Sequence, residues 1–133
     1  MSSFTKPLTV TKIDARKWKV ERSFIYIIDF EDALESIEIP KGFITDFASV
    51  PRAFWMVIPP DGKYTQAAVL HDFLYFTQTH TRKEADKIFL EAMAVLNVPW
   101  WKRRTMWLAV RMASWIPWNK RKNAISLTIM DIR

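Results

Sequence analysis

The chain contains no cysteine, which excludes disulfide scaffolds, thiolate zinc sites and cysteine nucleophiles. Glycine is scarce, with Gly42 and Gly62 as its two occurrences, so the chain has no glycine-rich loop. No stretch approaches the roughly 18 consecutive apolar residues of a membrane-spanning helix. Residues 1–6 also lack the apolar region of a signal peptide. We therefore expect neither a transmembrane segment nor a secretory leader.

The composition is that of a single folded domain over residues 1–133. Half of the residues are hydrophobic, with seven Trp and nine Phe, which is enough to fill a core and argues against disorder. The net charge is +6, and the basic excess lies late, in residues 102–104, Arg111 and residues 120–122. Such a surface favours anionic partners, either phospholipid or nucleic acid, or is a solvated surface with a positive bias. No nucleic-acid motif accompanies the charge.

Residues 1–60 carry mostly β patterns. Alternating residues and β-branched side chains predict strands, and the stretch 24–30 is apolar on both faces, as in a central strand. Four strands are expected, over residues 8–13, 18–22, 24–30 and 37–44. The last is interrupted by Pro40-Lys41-Gly42. Several strands in succession indicate an antiparallel sheet.

Residues 64–118 carry mostly helical patterns. Three helices are expected, over residues 65–76, 81–96 and 100–115. Thr81 and Glu84 fit the capping box of the second helix, and Pro99 and Pro117 bound the third. A short final strand is expected at residues 125–129. The predicted fold is therefore α+β, with an N-terminal antiparallel β-sheet followed by three C-terminal α-helices.

Two adjacent polar residues, His71 and Asp72, lie within the otherwise apolar run 67–76. Polar groups in such a run cost free energy unless they are hydrogen-bonded or bind something. On a helix, Tyr75 shares a face with His71, whereas Asp72 is rotated from His71 by about 100°. Asp86, on the next helix, can approach His71 or Tyr75 if the two helices pack antiparallel.

These residues are sufficient for general-base chemistry. A carboxylate beside His71 would orient the imidazole and favour one tautomer, so that the other nitrogen could activate water. Asp72 would then be available to bind a hard cation through oxygen. Two alternatives remain open: a buried polar network that specifies helix packing, and binding of a metal or ligand without turnover.

The order His71-Asp72-x-x-Tyr75 on one helix, then Ala85-Asp86 on the next, resembles the catalytic helix pair of the calcium-dependent, sn-2-specific phospholipase A superfamily. The closest likeness is to its short bacterial and parvovirus-capsid members. The resemblance implies that His71 is the general base, that Asp72 binds calcium or another divalent cation, and that Tyr75 and Asp86 support the base. The chain departs from that pattern in lacking the superfamily's glycine-rich calcium loop and in the short interval between His71 and Asp86.

A second resemblance covers more of the chain. The order Gly42-Phe-Ile-Thr45-Asp46-Phe-Ala-Ser49-Val-Pro51, then residues 68–75, then residues 82–86, is similar to a protein family common in tailed bacteriophages and prophages. It implies a phage origin, a location in the virion or the host cytoplasm, and other phage structural proteins as partners.

The segment from Thr45 to Pro51 also contains candidate site residues. Asp46 could supply another carboxylate to a metal or to His71, and Ser49 could be a nucleophile with His71 as its base. Alternatively, both side chains cap a turn or the helical segment that follows.

A segment rich in aromatic and basic residues covers residues 99–118. Its candidate contact residues are Trp100, Trp101, Lys102, Arg103, Arg104 and Trp107. Such a helix could dock at an anionic phospholipid membrane, with Trp at headgroup depth and the cations on phosphates. It could equally be a core helix with a basic rim or a surface for an oligomer partner.

The function that these patterns favour is that of a phage-encoded, phospholipase-like hydrolase. His71 would activate water for attack on an ester carbonyl, with a divalent cation on Asp72 stabilising the oxyanion. The alternative is a non-catalytic virion, tail or assembly component whose polar network around His71 is structural.

Overall fold

The computed structural model describes residues 2–14, 17–30, 33–45, 65–113 and 115–132. Six strands come first in these ranges: β1 (Ser3–Phe4), β2 (Val10–Asp14), β3 (Lys17–Val20), β4 (Phe24–Phe30), β5 (Ala33–Ile39) and β6 (Ile44–Thr45). Four helices follow within the described residues: α1 (Thr65–Thr77), α2 (Arg82–Val95), α3 (Trp100–Ala113) and α4 (Trp115–Ile132). The predicted α+β class, with strands before helices, is confirmed.

The strands form two antiparallel sheets of three strands, where one sheet was expected. The first has the order β1-β4-β5 and the second the order β2-β3-β6. The predicted strand 37–44 is in fact two strands, because β5 ends at Ile39 and β6 pairs with β3 in the other sheet. Gly42, between them, has φ of 94°, a left-handed conformation that glycine adopts without steric cost. The interruption noted in the sequence is therefore the point where the chain changes sheets.

The central position predicted for residues 24–30 is confirmed, since β4 pairs with both β1 and β5. Alternate side chains of β4, those of Phe24, Tyr26 and Ile28, are buried. The period of two places them on one face of the sheet, which is the face that enters the core. The Tyr26 hydroxyl donates to Glu91 Oε1 of α2 at 2.7 Å and so links this sheet to the helices.

The helices α1, α2 and α3 begin and end close to their predicted limits. The predicted final strand at residues 125–129 is wrong, because those residues lie in a fourth helix, α4. Pro117 does not follow the last helix but lies in the first turn of a new one, where its missing N–H has no helical acceptor to lose. None of the helices in the described part of the chain is long and apolar enough to cross a membrane.

The start of α2 is fixed by the predicted capping box. Thr81 Oγ1 accepts from the Glu84 backbone N–H at 3.1 Å, and Glu84 Oε1 accepts from the Thr81 N–H at 3.2 Å. These bonds satisfy two of the N–H groups that a helix leaves without intrahelical partners.

We predict that Thr81→Ala lowers the free energy of unfolding by about 1 kcal/mol, because the helix loses this cap. Thr81→Ser keeps the hydroxyl and should lie close to the wild type. Urea unfolding followed by circular dichroism measures both. Equal destabilisation by the two substitutions would show that the hydroxyl is not what stabilises the start of α2.

Candidate functional site

Helices α1 and α2 pack together and bring His71 and Asp86 into contact. His71 Nε2 lies 2.7 Å from Asp86 Oδ1, and the two side chains are 2% and 0% exposed. The Tyr75 hydroxyl donates to the same oxygen at 2.6 Å. Tyr75 is one helical turn beyond His71, which is why both side chains reach one carboxylate. The three residues expected to form the base and its support therefore lie together.

The other oxygen of Asp86 faces a cation that sequence reasoning missed. Arg111, from α3, donates through Nη1 to Asp86 Oδ2 at 2.9 Å. Arg82 Nη1 lies 3.9 Å from the same oxygen and also donates to the Arg111 carbonyl at 3.1 Å. In the sequence, Arg111 contributed only to the basic excess. Its buried apolar neighbours, Ala109 and Val110, were the available signal that this cation lies close to the core.

These partners determine the protonation state of Asp86. Burial raises the pKa of Asp86, but the hydrogen bonds from His71, Tyr75 and Arg111 lower it, and the lowering effects outweigh the burial. The pKa therefore lies below its ordinary value, and the carboxylate is ionised at neutral pH. An ionised carboxylate can only accept, so Nε2 of His71 carries a proton and donates it.

The second nitrogen of His71 has a different environment. In the neutral imidazole, a proton on Nε2 leaves the lone pair on Nδ1. Nδ1 is buried and has no hydrogen-bond partner among the described residues. The ring is held against the rings of Tyr75 and Phe89, with centroids 4.3 Å and 4.7 Å away. The site therefore presents a fixed imidazole with one oriented nitrogen and one basic nitrogen.

Asp72 has a separate environment, as its rotation on the helix predicted. Its Oδ2 accepts a hydrogen bond from the Thr45 hydroxyl, at the end of β6. Thr45 is buried, so this contact joins the second sheet to α1. The other residues of the motif segment, Asp46, Ser49 and Pro51, lie outside the described residues.

Asp72 is the described residue that the sequence predicts to bind a divalent cation. Calcium takes six to eight oxygen ligands, and Asp72 with Thr45 brings two side chains that carry oxygen. Within the described ranges, no group of three or more His, Asp or Glu residues could hold a metal ion. Metal binding by Asp72 and Asp46 therefore stays a prediction.

The helix that replaced the predicted strand forms part of the surroundings of the site. The ring of Trp118 in α4 packs edge-on against Tyr75, with centroids 4.9 Å apart. Gln78 Nε2 donates to the Trp118 carbonyl at 2.9 Å, which fixes α4 on the end of α1. The Tyr75 hydroxyl thus donates a hydrogen bond to Asp86, while the Tyr75 ring packs against Trp118.

The aromatic and basic residues predicted as a membrane or partner surface lie on α3. Trp100, Trp101 and Arg104 are exposed, while the side chains of Lys102, Arg103 and Trp107 are half-buried. Arg103 donates to the Val98 carbonyl at 3.1 Å, so it helps to hold the start of the helix. The segment is therefore partly core helix and partly surface.

We predict that Asp86→Asn destabilises the protein by about 3 kcal/mol at pH 7, since Arg111 and His71 lose their buried charged partner. Because the pKa of Asp86 is lowered on folding, its contribution is fully present above the unfolded pKa, near 4. It is lost as pH falls through the folded-state pKa. Urea unfolding of both proteins at a series of pH values should show the wild-type advantage retained from pH 7 to about 5 and shrinking below about 4. An advantage that persists unchanged to the lowest pH would contradict an ionised Asp86.

Comparisons with known proteins give a family but no activity. The chain is 36% identical over 74 residues to the "Uncharacterized protein y4jT" of Sinorhizobium fredii (strain NBRC 101917 / NGR234). That match covers 54% of this chain and 22% of the relative's length, so the chain corresponds to a fraction of y4jT. No solved structure matches. Residues 18–110, which include His71, Tyr75 and Asp86 and end one residue before Arg111, match the family described as "Protein of unknown function (DUF1353)". The chain belongs to the DUF1353 family.

Proposed function

We propose that this chain is a hydrolase in which His71 activates water for attack on an ester carbonyl. The observation that carries the proposal is the pairing of His71 Nε2 with Asp86, while Nδ1 has no partner among the described residues. A buried nitrogen without a partner costs roughly 1–3 kcal/mol. Such a group in a folded protein calls for an explanation, and a catalytic role is one of the usual ones.

The neighbours of His71 suit the role of a general base. Asp86 orients the ring and stabilises the imidazolium that forms when Nδ1 accepts a proton. The hydroxyl of Tyr75 and the guanidinium of Arg111 keep Asp86 ionised, so that the proton stays on His71.

The proposed reaction balances with these residues alone. The water oxygen attacks the carbonyl carbon, while the water proton moves to His71 Nδ1. The C–O bond of the tetrahedral intermediate then breaks, and the imidazolium returns its proton to the leaving alkoxide. The products are a carboxylic acid and an alcohol. A divalent cation bound at Asp72 would stabilise negative charge on the carbonyl oxygen.

Phospholipid esters are the substrate class that we propose. The support is the order His71-Asp72-x-x-Tyr75 followed by Asp86, which resembles the phospholipase A helix pair. The phage origin, with a location in the virion or host cytoplasm, is proposed on the second resemblance, through Thr45 to Pro51. Copurification with phage particles tests that origin.

A second candidate function is a non-catalytic virion or assembly component. The observation that favours it is the burial of His71, which is 2% exposed, because a water must reach Nδ1 for catalysis. In this case the network around Asp86 serves only to fix the packing of three helices.

Two substitutions of the proposed base separate the candidates. His71→Gln keeps an amide N–H that can reach Asp86 but removes the basic nitrogen, whereas His71→Asn is too short to keep that bond. Fatty-acid release from phospholipid vesicles, with calcium and with chelator, should fall by about a hundredfold or more in both variants. His80→Gln is the matched control, since His80 contacts Glu35 outside the site and should retain full activity.

Two outcomes would contradict the proposal that His71 is the base of a hydrolase. One is hydrolysis that survives in His71→Gln, which would place the base elsewhere. The other is a folded wild-type protein that releases nothing from vesicles or from a soluble short-chain ester, with or without calcium. That second result, with copurification in a fixed ratio to phage particles, supports the assembly component.

A further inference from the structure

The outer face of α3 carries large apolar side chains that the fold leaves uncovered. Trp101, Leu108 and Met112 are 47%, 52% and 71% exposed, and Arg104 between them is also exposed. At 100° per residue these four positions fall within an arc of roughly 80°. They form one stripe along the helix, which we call the outer stripe.

The outer stripe is not the face of α3 that packs in the core. The opposite side of α3 is already packed, with Met106, Ala109 and Val110 buried. Trp100, just before Trp101, and Trp115, at the start of α4, are 66% and 52% exposed. Isolated exposed apolar residues are ordinary, but a contiguous group of this kind marks an interaction site.

The net positive charge of the protein lies in residues 100–133, the part of the chain that includes α3. Residues 100–133 contain eight Lys or Arg and one Asp, whereas residues 1–99 contain twelve Lys or Arg and thirteen Asp or Glu. The whole positive excess therefore lies in the part of the chain that forms α3 and α4. Lys102 lies with its Nζ 5.3 Å from the centre of the Trp101 ring. The outer stripe thus combines apolar surface with cations.

The apolar surface and the positive charge together indicate which kind of partner the outer stripe fits. A second copy of the chain would bring two strongly basic regions together, which like-charge repulsion opposes. A polyanion such as nucleic acid would contact the cations but would leave Leu108 and Met112 in water. An anionic lipid surface satisfies both, because Trp lies at headgroup depth, aliphatic side chains enter the acyl boundary, and Lys and Arg contact lipid phosphates.

We propose that the outer stripe of α3 docks the protein on anionic phospholipid membranes, with the helix lying along the surface. The proposal does not depend on the hydrolase, since it rests on Trp101, Arg104, Leu108 and Met112, none of which has a role in the proposed hydrolysis. A non-catalytic protein would bind in the same way.

The apolar part of the proposal is tested with Leu108→Ser/Met112→Ser in the full chain. Both side chains are exposed, so the variant should fold, which circular dichroism verifies. In cosedimentation with vesicles of phosphatidylcholine containing about one third phosphatidylserine, the wild type should bind, and the double variant should bind at least about tenfold more weakly. Leu34→Ser is the matched control, since Leu34 is 79% exposed on β5 and should bind like the wild type.

The charged part is tested with Arg104→Gln, which should weaken binding about fivefold at low salt, and less at high salt. Arg22→Gln removes an exposed cation far along the chain from the stripe and serves as its control. Vesicles of phosphatidylcholine alone should bind the wild type more weakly than anionic vesicles do.

Three results would overturn the proposal. The wild type could fail to bind anionic vesicles, or the double variant could bind as well as the wild type. Sedimentation equilibrium could instead show a dimer that Leu108→Ser/Met112→Ser dissociates, which would assign the stripe to a second copy. His71→Gln separates this inference from the hydrolase, because it should bind vesicles normally whether or not the wild type hydrolyses them.

Discussion

The buried carboxylate of Asp86 is the constraint on which the arrangement of the helices depends. An unpaired charge in a protein interior is costly, so Asp86 requires donors on both of its oxygens. His71 and Tyr75 approach from α1, and Arg111 approaches from α3, while Asp86 itself lies on α2. The positions of three helices are thus tied to one group. The hydrogen bonds that stabilise the buried carboxylate also orient the imidazole of His71. The same contacts therefore determine both the packing of the helices and the geometry of the site.

The sheets add constraints of a different kind. The buried face of β4 supplies apolar area to the core, which is non-directional, and one polar contact, from Tyr26 to Glu91, aligns that sheet with α2. The second sheet reaches the site through Thr45, whose hydroxyl bonds to Asp72. Two adjacent residues of α1 are therefore fixed from different directions, His71 by the other helices and Asp72 by a strand.

The features that could be predicted from the sequence are those that depend on residues close together in the chain. Thr81 with Glu84 located the start of α2, and the period of 3.6 brought His71 and Tyr75 to one face, because both signals are local. The apolar neighbours of Arg111 indicate a position close to the core, but they do not name its partner. The pairing of β6 with β3 and the approach of Arg111 to Asp86 join residues far apart in the chain, and no local pattern encodes those pairs. Pro117 misled for another reason, since proline stops one helix and starts another with the same chemistry. The catalytic roles and the metal ligands stay predictions.

The network around Asp86 also accounts for the stability of an apolar outer face on α3. A helix with Leu108 and Met112 on one side and Met106 and Val110 on the other has two apolar faces, and apolar burial alone distinguishes them weakly. Rotating α3 to bury the outer pair would carry Arg111 away from Asp86 and leave that charge without its cation. A directional ion pair penalises this alternative in a way that side-chain volume does not. Arg111, which helps to keep Asp86 ionised, therefore also determines which face of α3 is exposed.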